Sequence, residues 1–255
     1  MLFRSLGREY ELTREGIYPQ KLLPYYWFVK TIESRSNRMV TNLGCVGPHY
    51  TVVSPHLQDE IRPYGVENPT YIPNGVFTPE QDSFTPIRGE YNIPSDATVI
   101  FNIGSLTSQK QATVFARTMR AVTEIRDNTY VIMAGDGPLR DEVEEYASAY
   151  LRPLGYISDT EKWRWFADAD IFASLSAYEG MPVATAEALS FDLPLVLSEI
   201  PSHRHLVETY RPTAELVGYD IGEIRCAIDD VDGRQSDVKL PDWTELARQY
   251  LETMR

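Results

Sequence analysis

The chain has 255 residues and a mass of 29.1 kDa, with 43% hydrophobic and 24% charged residues, so it can bury at least one substantial core. It is neither a disordered tail nor a disulfide-stapled miniprotein. Its formal charge of −13, from 37 acidic against 24 basic side chains, gives an average field that repels phosphate backbones and argues against nucleic-acid binding as the main task. The basic residues are 19 Arg to 5 Lys, which with the acidic excess suits a chain kept soluble by carboxylates, as in a salty cytoplasm. Cys45 and Cys226 stand far apart with no CxxC or Cys/His cluster, so no metal site or disulfide framework is predicted, and a reduced, cytoplasmic setting is the simpler reading.

Met1 to Tyr10 has no apolar run before its charges, unlike a secretory signal, and no stretch approaches the roughly 18 apolar residues of a membrane span. A helix is expected over 21–36. Around it, Tyr18 to Arg38 places Tyr25, Tyr26, Trp27 and Phe28 among Lys21, Lys30, Arg35 and Arg38. Aromatic bodies with basic tips suit packing in a partial domain, the preferred reading, or peripheral attachment at an inner membrane face. A strand over Tyr50 to Ser54, a helix over 55–64 and a strand over Thr70 to Ile72 follow. Residues 1–76 are therefore a partial domain, and the Pro-rich, turn-forming residues 77–97 are expected to be a linker.

From 98 the pattern changes. Short β-branched runs at Thr98 to Gly104, Thr129 to Ala134, Ile171 to Ser174 and Leu193 to Ser198 alternate with amphipathic helix patterns at 111–126, 138–150, 159–168, 182–191 and 201–209. This is the signature of an α/β, doubly wound parallel sheet over 98–240, with ligands bound beyond the carboxyl ends of its strands. Residues 241–255 read as a last amphipathic helix, Pro241 at its start, expected to pack back on the N-terminal part.

Four segments sit at strand ends. Gly104-Ser-Leu-Thr-Ser-Gln-Lys110 offers a glycine for close backbone approach and a lysine able to hold a phosphate, although a surface turn with a solvated lysine reads the same way. Ala134-Gly-Asp-Gly-Pro-Leu139, with Gly135, is a tight turn into a helix. Leu154-Gly155-Tyr156 would let backbone groups approach a flat ring, or is a plain turn. The informative segment runs from Ser176 to Glu187. Glu179 lies in a loop and Glu187 in the helix that Pro182 opens, so both carboxylates could face one crevice and grip sugar hydroxyls. The N–H groups of Met181, Val183 and Ala184 lie near that helix start, where an anion is stabilised. His203 and His205 do not share a helix face, and Asp168 and Asp170 straddle a helix end and a strand start, so neither pair is read as a metal site.

Taken in order, Ile72-Pro-Asn-Gly-Val76, Gly104 to Lys110, Ala134 to Leu139, Leu154-Gly-Tyr156 and Glu179 to Glu187 resemble the successive motifs of the family 4 glycosyltransferases, over about residues 40–255 and most densely over 98–208. The resemblance implies a GT-B architecture of two Rossmann-like domains and transfer of a sugar from a nucleotide diphosphate sugar with retention of configuration, without metal or other cofactor. Glu179 and Lys110 would be the catalytic pair, beside the donor sugar and on the diphosphate. Gly104, Ser105, Gly135, Gly155, Tyr156, Gly180, Met181, Pro182, Val183 and Glu187 would bind the donor, Glu187 through the ribose. Where the family commonly has Arg, this chain has Ser105, and the family usually carries a further N-terminal stretch holding most of the acceptor site; His49 and His56 do not match that stretch's histidine. A truncated N-terminal domain is thus expected, with a protein partner or second copy completing the acceptor half and a glycan or lipid-linked acceptor. A non-catalytic nucleotide-sugar binding or assembly subunit is the second reading, a sugar-nucleotide epimerase the third.

Overall fold

The computed structural model describes residues 50–64, 66, 68–76, 79, 84–241 and 243–253. The expected helix at 21–36, the aromatic-basic segment and Cys45 lie outside them. Two compact units divide the chain: one runs to Asn74 and takes in the segment from Trp243, the other is Gly75–Asp242.

In the first unit, strand β1 (Thr51–Val52) pairs in parallel with β2 (Thr70–Tyr71), Thr51 opposite Thr70. Helix α1 (His56–Ile61) and a 3-10 turn (Arg62–Tyr64) form the crossover between them, which parallel pairing requires. Gln58 Nε2 donates to Pro69 O at 2.8 Å and ties the helix to the chain entering β2.

The second unit is built on β3 (Thr98–Ile103), β4 (Thr129–Ala134), β5 (Leu151–Gly155), β6 (Ile171–Ser174), β7 (Leu195–Ser198) and β8 (Ala214–Val217), all parallel, in the order β5-β4-β3-β6-β7-β8. Its helices are α2 (Ala112–Ile125), α3 (Arg140–Glu144), α4 (Asp159–Asp168), α5 (Val183–Leu189), α6 (Pro201–Tyr210) and α7 (Ile221–Val231). The order reverses between β3 and β6, which leaves a crevice there, outside the strand ends. Both sheet faces are covered, so the central strands read as continuous apolar runs: Val99, Ile100 and Phe101 are all fully buried. Ile100 faces the layer of α2, α3 and α7 with Phe115, Met119, Val143 and Ile228. Val99 and Phe101 face the layer of α4, α5 and α6 with Trp165, Phe166, Leu189 and Leu206. Helix α8 (Trp243–Thr253), in the first unit, buries Leu246.

Several expectations change. Residues 84–97 are part of the second unit and its core: Ile87, Ile93 and Ala97 join the α4 side, and a 3-10 turn spans Arg88–Tyr91. Asp168 holds this segment, accepting from the N–H groups of Ile87 (2.6 Å) and Arg88 (2.7 Å) and from Arg88 Nε (3.0 Å), while Asp170 accepts from Val99 N at 2.7 Å. That is the work of the two aspartates. Strands β5 and β8 were not predicted because they are edge strands: Leu151-Arg-Pro-Leu-Gly155 carries a proline, tolerated only at an edge, and β8 carries Glu215. Helix α7 was missed although Asp220 caps it, accepting from Glu223 N at 2.9 Å. The helix expected over 138–150 shrinks to α3, since like charges at Asp141 and Glu145 oppose it and the chain must turn at Ser148 to enter β5.

Candidate active site

A shallow pocket, open to solvent, lies at the carboxyl ends of β3 and β6, where the strand order reverses. From β3 and its following loop come Asn102, Gly104, Ser105 and Lys110; from β6 and its loop come Ser174, Ser176 and Glu179, with Pro182, Ala184 and Thr185 from the start of α5. Asn102 Nδ2 donates to Ala173 O at 2.8 Å and fixes the two strand ends against each other.

Within it, Lys110 Nζ lies 2.5 Å from Glu179 Oε1, and the same oxygen accepts from Ser176 Oγ at 2.8 Å. Glu179 is buried and Lys110 about a third exposed. A buried carboxylate needs a partner, and here it has two, so Glu179 keeps one if the ammonium turns to a ligand. The loops are locked together at their middles: Ala177 N donates to Gln109 O (2.9 Å) and Gln109 Nε2 to Tyr178 O (3.0 Å). Lys110 and Glu179 are held in register by the residues beside them.

Of the predicted site residues, the pocket gathers Gly104, Ser105, Lys110, Glu179 and Pro182. Gly180, Met181 and Val183 belong to the same loop and the start of α5 but are not among its lining. Gly135, Gly155, Tyr156 and Glu187 are also outside it. Gly135 joins loops: its N–H donates to Gly155 O (2.7 Å), Gly104 N donates to Ala134 O (3.0 Å), and Leu106 N donates to Asp136 O (3.0 Å). The turns after β3, β4 and β5 thereby continue the sheet by one more step. Gly155 has φ +70° with the Arg140 guanidinium against its open side, and Tyr156, 82% exposed, follows at the same edge. Glu187 is half-buried and paired through Oε1 with Lys162 Nζ (2.9 Å), whose ammonium also lies 3.8 Å from the centre of the Trp163 ring.

Gly104 differs from Gly135 in what surrounds it. A Cβ there would meet only the stem of Lys110, at 3.8 Å. Gly104→Ala is therefore expected to leave the unfolding free energy from urea melts within about 1 kcal/mol of wild type while placing a methyl in the pocket. Ligand affinity should fall about tenfold in calorimetry; unaltered affinity would remove this floor from the binding surface.

Sequence reasoning passed over the polar floor of the pocket and a histidine behind it. Ser174, Ser176, Ser198, Ser202 and His203 are all buried. A run of buried serines at strand ends was the readable signal, since hydroxyls are seldom buried without partners. His203 is fully buried, and burial pulls its imidazole from the ordinary 6.5 down to about 4. Among the described residues, no three His, Cys, Asp or Glu side chains converge as metal ligands would.

A doubly wound domain with its pocket at the switch point, floored by a lysine–glutamate pair, is the class that the fold and site define. The sequence model of the glycosyl transferases group 1 family matches residues 83–230, more than half of the chain, and the chain belongs to that family. The expected α/β, Rossmann-like fold is seen in the Gly75–Asp242 unit. An uncharacterized glycosyltransferase of Methanocaldococcus jannaschii is 27% identical over 74% of this chain and 45% of its own length. The Escherichia coli UDP-Gal:alpha-D-GlcNAc-diphosphoundecaprenol alpha-1,3-galactosyltransferase is 30% identical over 54% of this chain and 38% of its own. Among solved structures, Anabaena HepE in complex with UDP and glucose superposes with a TM-score of 0.63 at 16% identity, over 87% of this chain and 67% of that one. The chain spans 35–57% of the length of the curated relatives it matches.

Proposed function

We propose that this chain carries the donor half of a glycosyltransferase that moves a sugar from a nucleotide diphosphate sugar to a hydroxyl acceptor with retention of configuration. The observation that carries the reading is the Lys110–Glu179 pair in the switch-point pocket, in a chain of this family. Glu179 stands beside the donor sugar as a hydrogen-bond acceptor. Lys110 contacts the diphosphate and stabilises the negative charge that grows on it as the bond to the sugar C1 breaks, which needs no proton from the protein. The acceptor oxygen bonds to C1 from the face the phosphate leaves, and its proton passes to the departing phosphate oxygen. Ser176 satisfies Glu179 while Lys110 is engaged by phosphate.

Glu187 takes the ribose hydroxyls, with Lys162 fixing one of its oxygens; backbone groups at Gly155 and Tyr156 take the base, and the amides of Met181 and Val183 the sugar or diphosphate. No metal enters the scheme, since Lys110 supplies the charge. The acceptor is a glycan or a lipid-linked hydroxyl, and another polypeptide segment, a partner or a second copy supplies the rest of its site. The lipid-linked acceptor in the name of the Escherichia coli relative supports work at a membrane face. No helix among the described residues is long and apolar enough to cross a membrane.

Calorimetry of UDP, GDP and ADP against the purified chain tests the donor site without any acceptor. One nucleotide should bind, unaffected by a chelator, and Glu187→Ala should weaken it about tenfold, the value of one charge-assisted hydrogen bond. A folded chain that binds none of the three would overturn the reading.

A further inference from the structure

We propose that His203 is a positioning residue for Glu179, acting through a directed chain of buried hydrogen bonds that runs from α6 across the ends of β7 and β6 into the pocket. The inference rests on the placement of Glu179 beside the donor sugar.

The direction of each link follows from the chemistry of its atoms. His203 Nδ1 lies 2.8 Å from Ser198 O and 3.3 Å from Ser198 Oγ. A carbonyl oxygen only accepts, so Nδ1 carries the hydrogen and Nε2 the lone pair. Ser198 Oγ spends its single proton on Ser176 O at 2.6 Å, so toward the imidazole it can only accept. Ser176 Oγ in turn gives its proton to Glu179 Oε1 at 2.8 Å. The path passes from the Ser176 carbonyl to its hydroxyl through that residue's own backbone, and with the Ser176 proton on Glu179 the Ser174 hydroxyl, 3.3 Å away, can only donate to Ser176 Oγ, so the direction is set as far as the carboxylate.

The setting makes these bonds strong determinants of position. Ser176, Ser198 and His203 are at most 2% exposed, so water does not compete for their protons. The imidazole is a costly way to fill this volume: Nε2 is buried with no hydrogen-bond partner among the described residues, as is Oγ of the neighbouring Ser202. An apolar ring would pack there without that cost, whereas only a side chain with a donor at the Nδ1 position can orient Ser198. Lys110 and Glu179 are the charged groups that act on the imidazole, with opposite signs, and it stays neutral at physiological pH. The chain therefore transmits geometry, not a proton.

The experiment compares, by calorimetry, the affinity for a nucleotide with that for its sugar conjugate, using UDP against UDP-glucose and UDP-N-acetylglucosamine, GDP against GDP-mannose, and ADP against ADP-glucose. The sugar-dependent gain, the ratio of the two dissociation constants, reports on Glu179, and Glu179→Gln sets its floor. His203→Phe and Ser198→Ala should cut the gain about fivefold, the scale of one net hydrogen bond, with the nucleotide affinity itself unchanged within about twofold. His203→Asn, which puts an amide donor where Nδ1 stood, should restore it. If His203→Phe does not fold, Ser198→Ala and ¹⁵N spectra of the wild-type imidazole carry the test, and the spectra should show hydrogen on Nδ1. A gain that falls in Glu179→Gln but not in Ser198→Ala overturns the inference, as does hydrogen on Nε2, or His203→Asn failing as His203→Phe does. A gain that Glu179→Gln leaves untouched, or no nucleotide binding at all, overturns the donor-site reading itself and this inference with it.

Discussion

Gly135→Ala is expected to destabilise the Gly75–Asp242 unit by about 3 kcal/mol or more, read as a lower urea midpoint at unchanged slope. Two effects add. The residue has φ +134°, a region that side chains with a Cβ rarely adopt, and the new Cβ would stand 1.8 Å from Gly104 O and 2.9 Å from Gly104 C. Neither atom belongs to a flexible side chain that could move aside. Both are backbone, pinned by Gly104 N to Ala134 O on one side and by Gly135 N to Gly155 O on the other. Relief must come from prising the β3 loop off the β4 loop, which displaces Gly104 and Ser105 and so the pocket floor. Ligand binding should fall with stability in this variant, whereas Gly104→Ala should lose binding alone. An unfolding free energy for Gly135→Ala within a few tenths of a kcal/mol of wild type would show that the two loops do not touch as described.

The second large effect is a loss of stability on mild acidification that traces to one buried imidazole. His203 titrates near 4 in the folded chain against the ordinary 6.5, because burial disfavours its charged form. Above pH 6.5 neither state holds the proton and the group adds no pH dependence. As pH falls from about 6.5 to about 4 the unfolded chain takes up a proton that the folded chain refuses, so folding weakens across that window and levels off below it, by about 3 kcal/mol in all. Carboxylates titrate in the same range, and Asp170 and Asp192, both raised by burial, contribute with the opposite sign. The difference between wild type and His203→Asn isolates the imidazole. Urea melts at pH 7, 5.5 and 4.5 should show wild type losing about 2–3 kcal/mol more than His203→Asn. Parallel curves would mean that folded His203 takes up its proton near the ordinary 6.5, with a charge tolerated behind Glu179.

The amino-acid order by itself determined the class of the fold and singled out two candidate residues, Lys110 and Glu179, that the structure brings together in one pocket. Central parallel strands must be apolar on both faces, so Thr98–Ile103, Thr129–Ala134, Ile171–Ser174 and Leu195–Ser198 announce themselves, as do helices with one apolar stripe such as Ala112–Ile125. Lys110 and Glu179 were legible because strand ends on either side of a switch point are where ligands bind, and both stand just past such ends. Edge strands give a weaker signal, since a strand with a free side can hold Pro153 or Glu215, and a segment such as 84–97 looks like a linker until its few apolar residues find a partner.

Only the tertiary structure decided which of the candidate glycines line the pocket and which serve loop packing. Gly104 and Gly135 are equivalent as sequence, and the carbonyl lying against one but not the other comes from β4 being paired to β3. The same holds for the carboxylates: Glu179 is drawn to Lys110 and Glu187 to Lys162, pairings between elements distant in the chain. His203 is the clearest instance. On a helix pattern it is one polar residue among several; its bond to Ser198, five residues earlier, is local, but Ser198 meets Ser176 only because β7 lies beside β6 in the sheet.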